Sequence, residues 1–261
     1  VIAIEKQNDS SVNILIDLSV SDKFKRVRAR CLLGVFSETG DKLKSWEGEK
    51  EADTDGFFFV KQWTVPQPDK PFTFKFGLHV SAVLGMDNIW KFNFYDELFN
   101  AESNSKMIVF KEKDNQKVLF YTFKRLIMFH SSRLPISSKN VTVPASVSIN
   151  MLEKCLQIAH GVQVRCSVKD VTKIRFIAKS LGLKNVTMYC ERHRIESLNQ
   201  VEVTDKMFQS TFIRDRRHLL VHLLKTLKSN KELKKVLETM DIQKMKSESM
   251  KRCTHFFFHN C

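Results

Sequence analysis

Cysteine and histidine side chains gather at two places in the chain, and thiolate together with imidazole is the ligand set that zinc prefers. Near the C-terminal end, four such residues lie within nine positions: Cys253, His255, His259 and Cys261. Their spacing matches no common zinc module, so a chain end or a helix surface without metal is the competing interpretation.

The second group is spread over two predicted helices. Cys190 and His193 lie in one helix, and His218 and His222 lie in another, where a spacing of four residues puts both imidazoles on one face. These four side chains form a metal cluster only if the fold brings the helices together. Ordinary surface histidines are the competing interpretation, and we assign no metal ligand in either group.

Catalytic signatures are absent from the sequence. Only eight glycines occur, and none lies in a GxxxxGK phosphate loop or a GxGxxG turn. No candidate nucleophile sits in a recognisable strand-to-helix elbow. The sequence therefore predicts a binding protein rather than an enzyme, with no catalytic residue and no cofactor.

The net charge of +14 is concentrated in the second half of the chain. Residues 1–150 carry 21 Lys and Arg against 18 Asp and Glu, whereas residues 151–261 carry 22 against 11. A basic half of this kind attracts nucleic acid or another acidic surface. A solvated helix face is the competing interpretation, and the absence of a nucleic-acid motif favours it. Binding of nucleic acid or an acidic surface through the C-terminal half is thus the alternative function.

Cysteine use and hydropathy indicate the compartment. The six cysteines are irregularly spaced in a chain too large to need disulfides, which predicts reduced thiols. No apolar run approaches the roughly 18 residues of a membrane span, and no secretory signal opens the sequence. We expect an intracellular protein, cytoplasmic or nuclear, with no membrane partner.

Period-two alternation dominates from Val12 to about Ile108 and predicts strands, because alternate side chains of a strand point to opposite faces. In segment 24–36, arginines occupy one face, and the other face carries Val27, Ala29, Cys31, Leu33 and Val35. In segment 71–83, His79 and other polar residues oppose an apolar face of Phe72, Phe74, Phe76, Leu78, Val80 and Ala82. Short strands with turn-rich connections predict an antiparallel β-sandwich.

The pattern changes after residues 100–105, a small polar stretch of linker composition. The next predicted elements are strands at 107–110 and 118–121, a helix at 123–132 and a strand at 141–143. Helical spacing then extends to Gly161 and again to Gly182, and both glycines are good C-terminal stops. Further amphipathic helices are predicted around Val186, Phe212, Leu223 and Val236, so the second half is α-rich.

This order of elements, together with local motifs, resembles a BTB (also called POZ) domain. Residues 103–110 resemble the family's opening strand, and residues 120–132 resemble its second strand running into its first helix. Residues 144–161 resemble a later helix that ends in an aromatic residue and Gly. The remaining matches are residues 170–195, with Cys190-Glu191 where many members have Cys-Glu, and residues 205–227, which resemble extra helices of nematode-type members.

The front half resembles a MATH (TRAF-like) sandwich in the order of its strands and turns. Members of that family often carry a Trp-Gly-Phe triplet in the groove that holds the target. Gly56-Phe57 matches the last two positions of the triplet, and Asp55 replaces the Trp. Phe57 is therefore the candidate partner-binding residue, with a core ring as the competing role.

The two resemblances imply an α+β chain with three segments: an N-terminal antiparallel β-sandwich (MATH-like) at 1–102, an α-rich BTB/POZ-like domain at 103–200 and a C-terminal helical extension at 201–261. They imply a protein–protein interaction adaptor or scaffold. In such a protein the groove captures a target, and the BTB-like domain forms a homodimer and docks a cullin scaffold of a ubiquitin ligase. The hydrophobic-x-Glu element that many members use against the cullin has no counterpart here.

Overall fold

The computed structural model describes residues 2–8, 11–17, 23–54, 57–64, 71–97, 105–114, 116–135, 137–198, 204–213 and 216–259. Within these ranges the chain is a mixed α+β protein with antiparallel sheets, as the sequence predicts. It forms two compact units, the first made of Val1–Phe129 and Leu134–Val164 and the second of His130–Arg133 and Arg165–Cys261. The boundary predicted between residues 102 and 103 lies outside the described residues.

Seven strands form two antiparallel sheets in the first unit. They are β1 (Ile2–Asn8), β2 (Ser11–Asp17), β3 (Phe24–Ser37), β4 (Lys42–Asp53), β5 (Phe57–Thr64), β6 (Phe72–Gly85) and β7 (Trp90–Phe92). One sheet has the order β1-β2-β5 and the other has the order β4-β3-β6-β7. Apolar residues of both sheets pack into one hydrophobic core. Strand β1 precedes the region where the alternation predicts strands.

Strand β3 confirms the predicted division between a buried and an exposed face. Its five residues predicted to face the core are each at most 3% exposed. On the other face, Arg26 and Arg28 form ion pairs with carboxylates of β4 at 2.7 and 2.5 Å, and Arg30 does the same with a third carboxylate. Partly exposed pairs of this kind add little stability, but opposite charges across two strands favour this register.

Strand β6 departs from the predicted unbroken apolar face. The residues on either side of Ser81 pair with consecutive positions of β3, so Ser81 is the extra residue of a β-bulge. Beyond the bulge, Val83 packs on the core, whereas uninterrupted alternation would place Ala82 on that face. Phe76, predicted to face the core, is 58% exposed. His79, predicted on the polar face, is 3% exposed, and burial lowers its pKa.

A third sheet with two helices completes the first unit. Its elements are β8 (Met107–Glu112), β9 (Val118–Phe123), α1 (Lys124–His130), β10 (Asn140–Val143) and α2 (Ile149–Ala159). The strand order is β10-β8-β9, with β10 parallel and β9 antiparallel to β8. Each of these elements lies within a few residues of a predicted one. Gly161, the predicted helix stop, follows α2 with a φ of +89°.

Helix α2 holds strand β7 through the side chain of Gln157. Its Nε2 donates to the carbonyl of Phe92 at 2.7 Å, and its Oε1 accepts from the backbone N–H of the same residue at 2.9 Å. Gln157 is 3% exposed, so both bonds lie in the interior. The side-chain amide thus pairs with Phe92 as the backbone of a neighbouring strand would.

The second unit is helical. Its α-helices are α3 (Val168–Leu181), α4 (Lys184–Leu198), α5 (Asp205–Ile213), α6 (Arg217–Thr226), α7 (Asn230–Glu238) and α8 (Ser247–His259). Helices α5 to α8 share a hydrophobic core whose largest fully buried side chains include Phe208 and Phe212. Helices α3 to α7 lie where helices are predicted, although α4 lacks the predicted amphipathic character.

Helix α8 corrects the interpretation of the C-terminal segment as a frayed tail and agrees with the alternative, a helix. Cys253 of this helix is 6% exposed and belongs to the shared core, and Phe256 packs against it. The carbonyl of Phe257 also accepts a hydrogen bond from Asn230 of α7 at 3.1 Å. The helix is therefore docked through one face rather than frayed.

Replacing Gly182 with alanine is expected to lower the free energy of unfolding by about 1–2 kcal/mol. Gly182 ends α3 with a φ of +70°, and an added Cβ would lie 2.9 Å from the backbone nitrogen of Arg133. Gly161→Ala is the control, because it has a similar φ but no atom within 4 Å of the added Cβ. Urea denaturation should show the larger loss for Gly182→Ala, and equal losses would mean that the contact with Arg133 costs nothing.

Candidate functional site

Helix α4 separates two concave surfaces of the second unit. Cys190, Glu191 and Arg194 line a cavity of about 590 Å³, which we call the α3–α4 cleft. Arg192 and Ile195, on the opposite side of the helix, line a different cavity of about 580 Å³. Because both sides of α4 carry polar residues, the helix lacks the single apolar stripe typical of a surface helix.

The α3–α4 cleft is built on one face of α3. Its six lining residues on that helix are separated alternately by three positions and by one, as one helical face requires: Val168, Val171, Thr172, Arg175, Phe176 and Lys179. Val168 and Phe176 are 60% and 72% exposed. The cleft therefore combines apolar side chains that contact water with several cationic groups.

Glu191 is the acidic residue of this cleft, and it is 6% exposed. Burial raises its pKa, while Arg175, a hydrogen bond from the backbone N–H of His218, and Arg216 act in the opposite direction. His218 lies in the first turn of α6, where the residue before the helix provides no side-chain cap. Glu191 of α4 thus supplies the acceptor that an N-cap residue usually provides.

The surface on the other side of α4 extends over two adjoining cavities, of about 580 and 440 Å³. Val221, Lys225 and Arg252 line both cavities, so we treat them as one surface and call it the basic groove. Helix α6 contributes the middle of the groove, with α4 on one side and α8 on the other. Its cationic lining residues are Arg192, Arg217, Lys225, Lys251 and Arg252.

The division of helix α6 into two faces explains how the groove forms. Leu219, Leu220, Leu223 and Leu224 are each at most 4% exposed and pack in the core of the unit. The other face carries Arg217, His218, Val221, His222 and Lys225, which line the groove. Burial of the leucine face therefore forces the basic face outward.

The C-terminal zinc hypothesis is not supported by the geometry of α8. His255 and His259 stack at 3.9 Å between ring centroids and both line the basic groove. Cys253 is buried in the core instead, because residues two apart on a helix point in nearly opposite directions. Burial also raises the pKa of its thiol to about 11, which disfavours the thiolate that zinc binds. Cys261 lies outside the described residues.

The second group of candidate ligands, Cys190, His193, His218 and His222, is divided between the two surfaces. The fold does bring α4 and α6 together, but Cys190 and His193 line the α3–α4 cleft and the two histidines of α6 line the basic groove. Burial raises the pKa of Cys190 to about 12. Among the described residues, no group of three or more His, Cys, Asp and Glu side chains is placed to hold a metal ion.

Phe57, the candidate partner-binding residue, begins strand β5, where its backbone pairs with Asp17. Its side chain and the preceding Asp55 and Gly56 lie outside the described residues, so its role stays a prediction.

Sequence reasoning missed the cations of the basic groove as a group. The excess of Lys and Arg after residue 150 and the spacing of His218 and His222 were the available signals. Neither signal indicates that Arg192 of α4 and Arg252 of α8 lie on the same surface, since they are 60 positions apart in the sequence. That proximity depends on the packing of α4 and α8 against α6.

No family model matches the sequence, and the search of curated proteins finds no significant match. Within the described ranges, no helix combines the length and the apolar character that crossing a membrane requires.

Proposed function

We propose that this protein is a protein-binding adaptor or scaffold rather than an enzyme. The observation that carries the proposal is the element order β8-β9-α1-β10-α2-α3-α4, which follows the order that the BTB resemblance implies. The two antiparallel sheets that precede it are compatible with the MATH-like sandwich. We therefore propose a MATH-like front and a BTB-like second part, with α5 to α8 as the helical extension.

The state of the buried thiols favours binding over catalysis. Burial raises the pKa of Cys31 to about 11, that of Cys190 to about 12 and that of Cys253 to about 11. Because the thiolate is the nucleophilic form of cysteine, these side chains are poorly suited to covalent chemistry at neutral pH. They act as small apolar residues that fill the cores.

We propose a homodimer that forms through the BTB-like part. Around helix α1, Phe123, Leu126 and Phe129 are 37%, 39% and 83% exposed, and they recur at intervals of three residues. Exposed apolar side chains grouped in this way are typical of interfaces. A two-fold axis would place this surface against itself in a second copy.

Light scattering at micromolar concentration should give twice the mass of one chain. Phe129→Glu should convert the protein to a monomer, because two like charges would face each other across the two-fold axis. Phe176→Glu on α3 is the matched control, since that ring is similarly exposed, and it should leave the dimer intact. A wild-type protein that is strictly monomeric would contradict the dimer.

The proposed ligase role has a separate readout in the same preparation. Purification of the full chain from cells, followed by mass spectrometry for a cullin, tests whether the adaptor docks that scaffold. Recovery of a cullin with wild type and Phe176→Glu at equal yield would support the role. Its absence from both would leave an adaptor without a cullin partner.

A second candidate function has its own structural support. The basic groove favours binding of an acidic surface through the C-terminal half, because five cationic side chains converge there from three helices.

A further inference from the structure

We propose that the basic groove is a docking site for an acidic peptide segment that also carries apolar side chains. The inference deepens the proposed protein-binding function by assigning a surface and a partner chemistry to it. Neither the element order nor the exposed residues of α1 enter the argument, so the groove and the dimer can succeed or fail independently.

The charges that line the groove are almost all positive. Glu248 is the carboxylate among its lining residues, and its Oε1 lies 3.2 Å from a guanidinium nitrogen of Arg252. Lys225 and Lys251 are both exposed at the groove. An acidic partner would therefore meet several cations with little competition from the protein's own carboxylates.

Apolar side chains line the same surface. Ile195, Val221 and Phe256 are partly exposed, come from three different helices and lie among the basic residues. Ile195 and Phe256 also pack against the core of the unit, which fixes their positions. A ligand that carried only charge would leave this apolar surface uncovered, whereas an amphipathic segment would bury it.

The combination favours a peptide over a nucleic acid. Single-stranded nucleic acids bind proteins through phosphates and through bases that stack on aromatic rings. In the groove, the imidazoles of His255 and His259 stack on each other at 3.9 Å between centroids, and Ile195 and Val221 are aliphatic and offer no ring for stacking. Acidic residues and leucines at helical spacing would match both the cations and the aliphatic side chains.

Fluorescence anisotropy of the full chain tests the proposal with three labelled probes. The first is a Glu-rich peptide of about 12 residues with Leu at every third or fourth position, the second is an all-Glu peptide of equal length, and the third is a single-stranded oligonucleotide of similar length. The Glu/Leu peptide should bind most tightly. Tighter binding of the oligonucleotide, equal binding of the all-Glu peptide, or no binding of any probe would overturn the proposal.

A double variant locates the binding on the groove. Lys225→Glu combined with Lys251→Glu should weaken binding of the Glu/Leu peptide by about tenfold or more. Lys206→Glu combined with Lys231→Glu is the matched control, because it makes the same charge change at exposed lysines of α5 and α7 outside the groove. The control should stay within about twofold of wild type, and an equal loss in both would show that overall charge, not the groove, binds the peptide.

Folding and dimerisation are checked separately. Thermal unfolding followed by circular dichroism establishes whether the groove variant is folded. Lys251→Gln is a milder change, and it should weaken binding of the Glu/Leu peptide by about threefold. The dimer mass and any cullin recovery should not change in these variants. Loss of the dimer in the absence of any peptide binding would mean that the groove belongs to that interface instead.

Discussion

Glu191→Ala is expected to lower the free energy of unfolding by about 3 kcal/mol. The substitution removes the acceptor for the backbone N–H of His218 at the start of α6, a loss that resembles removal of an N-cap. It also removes a buried carboxylate that interacts with Arg175 and Arg216, the second of which is 2% exposed. Two buried guanidinium groups would then lose a counter-charge. Chemical denaturation followed by circular dichroism measures the change.

The companion variant Glu191→Gln separates the two contributions. Glutamine keeps an oxygen that can accept from His218 and nearly the same volume, but it carries no charge. We expect a loss well under about 1 kcal/mol, because the cap persists and because burial, which raises the pKa of Glu191, offsets most of what its charge interactions contribute. Equal losses for alanine and glutamine would assign the whole effect to charge. A loss below about 0.5 kcal/mol for alanine would contradict the structural role of Glu191.

Gln157→Leu is expected to lower the free energy of unfolding of the first unit by about 2–3 kcal/mol. The leucine fills similar space but can neither donate to the carbonyl of Phe92 nor accept from its N–H, bonds that measure 2.7 and 2.9 Å. Two backbone polar groups of β7 would then lack partners inside the protein. Hydrogen exchange at the amide of Phe92 should accelerate in the variant together with the loss in global stability.

The pH dependence of Gln157→Glu gives a sharper test. Protonated glutamic acid can still donate to the carbonyl of Phe92, whereas the carboxylate would repel it, so the folded state should raise the pKa of the new side chain. A raised folded pKa means that stability present at low pH is lost as pH rises through that value. The variant should therefore approach wild type at acidic pH and fall below it at neutral pH. Tyr95→Phe is the control, because it removes a hydrogen bond of 2.8 Å to Glu153 at an exposed residue. It should lower the free energy of unfolding by less than Gln157→Glu does at neutral pH, and by little at acidic pH.

Local periodicity was sufficient to predict most secondary structure. The buried residues of β3 alternate from Val27 to Leu33, and α3 ends before Gly182, which has the positive φ expected of a helix stop. The docking of helix α8 was not predicted, because its buried positions include the small Ser249 and Cys253, whereas the larger Phe258 is 68% exposed.

Irregular pairing limited the prediction of faces. The bulge at Ser81 exchanges the faces of all later residues in β6, and alternation alone cannot indicate where an extra residue is inserted. The burial of His79 has a different origin, because its pairing with Arg30 of β3 is regular. Its ring interacts with the backbone of Asp96, which follows β7, and a contact of this kind depends on the path of a loop.

The sequence by itself determined the α+β class, the order of the elements from β8 to α4 and the concentration of positive charge after residue 150. These properties depend on neighbours within one or two turns, or on composition. Tertiary structure alone decided that the candidate zinc ligands separate, that Glu191 caps α6 and that Arg192 and Arg252 line one groove. Each of these depends on which helix faces pack together, and burial of the leucine face of α6 sets that arrangement.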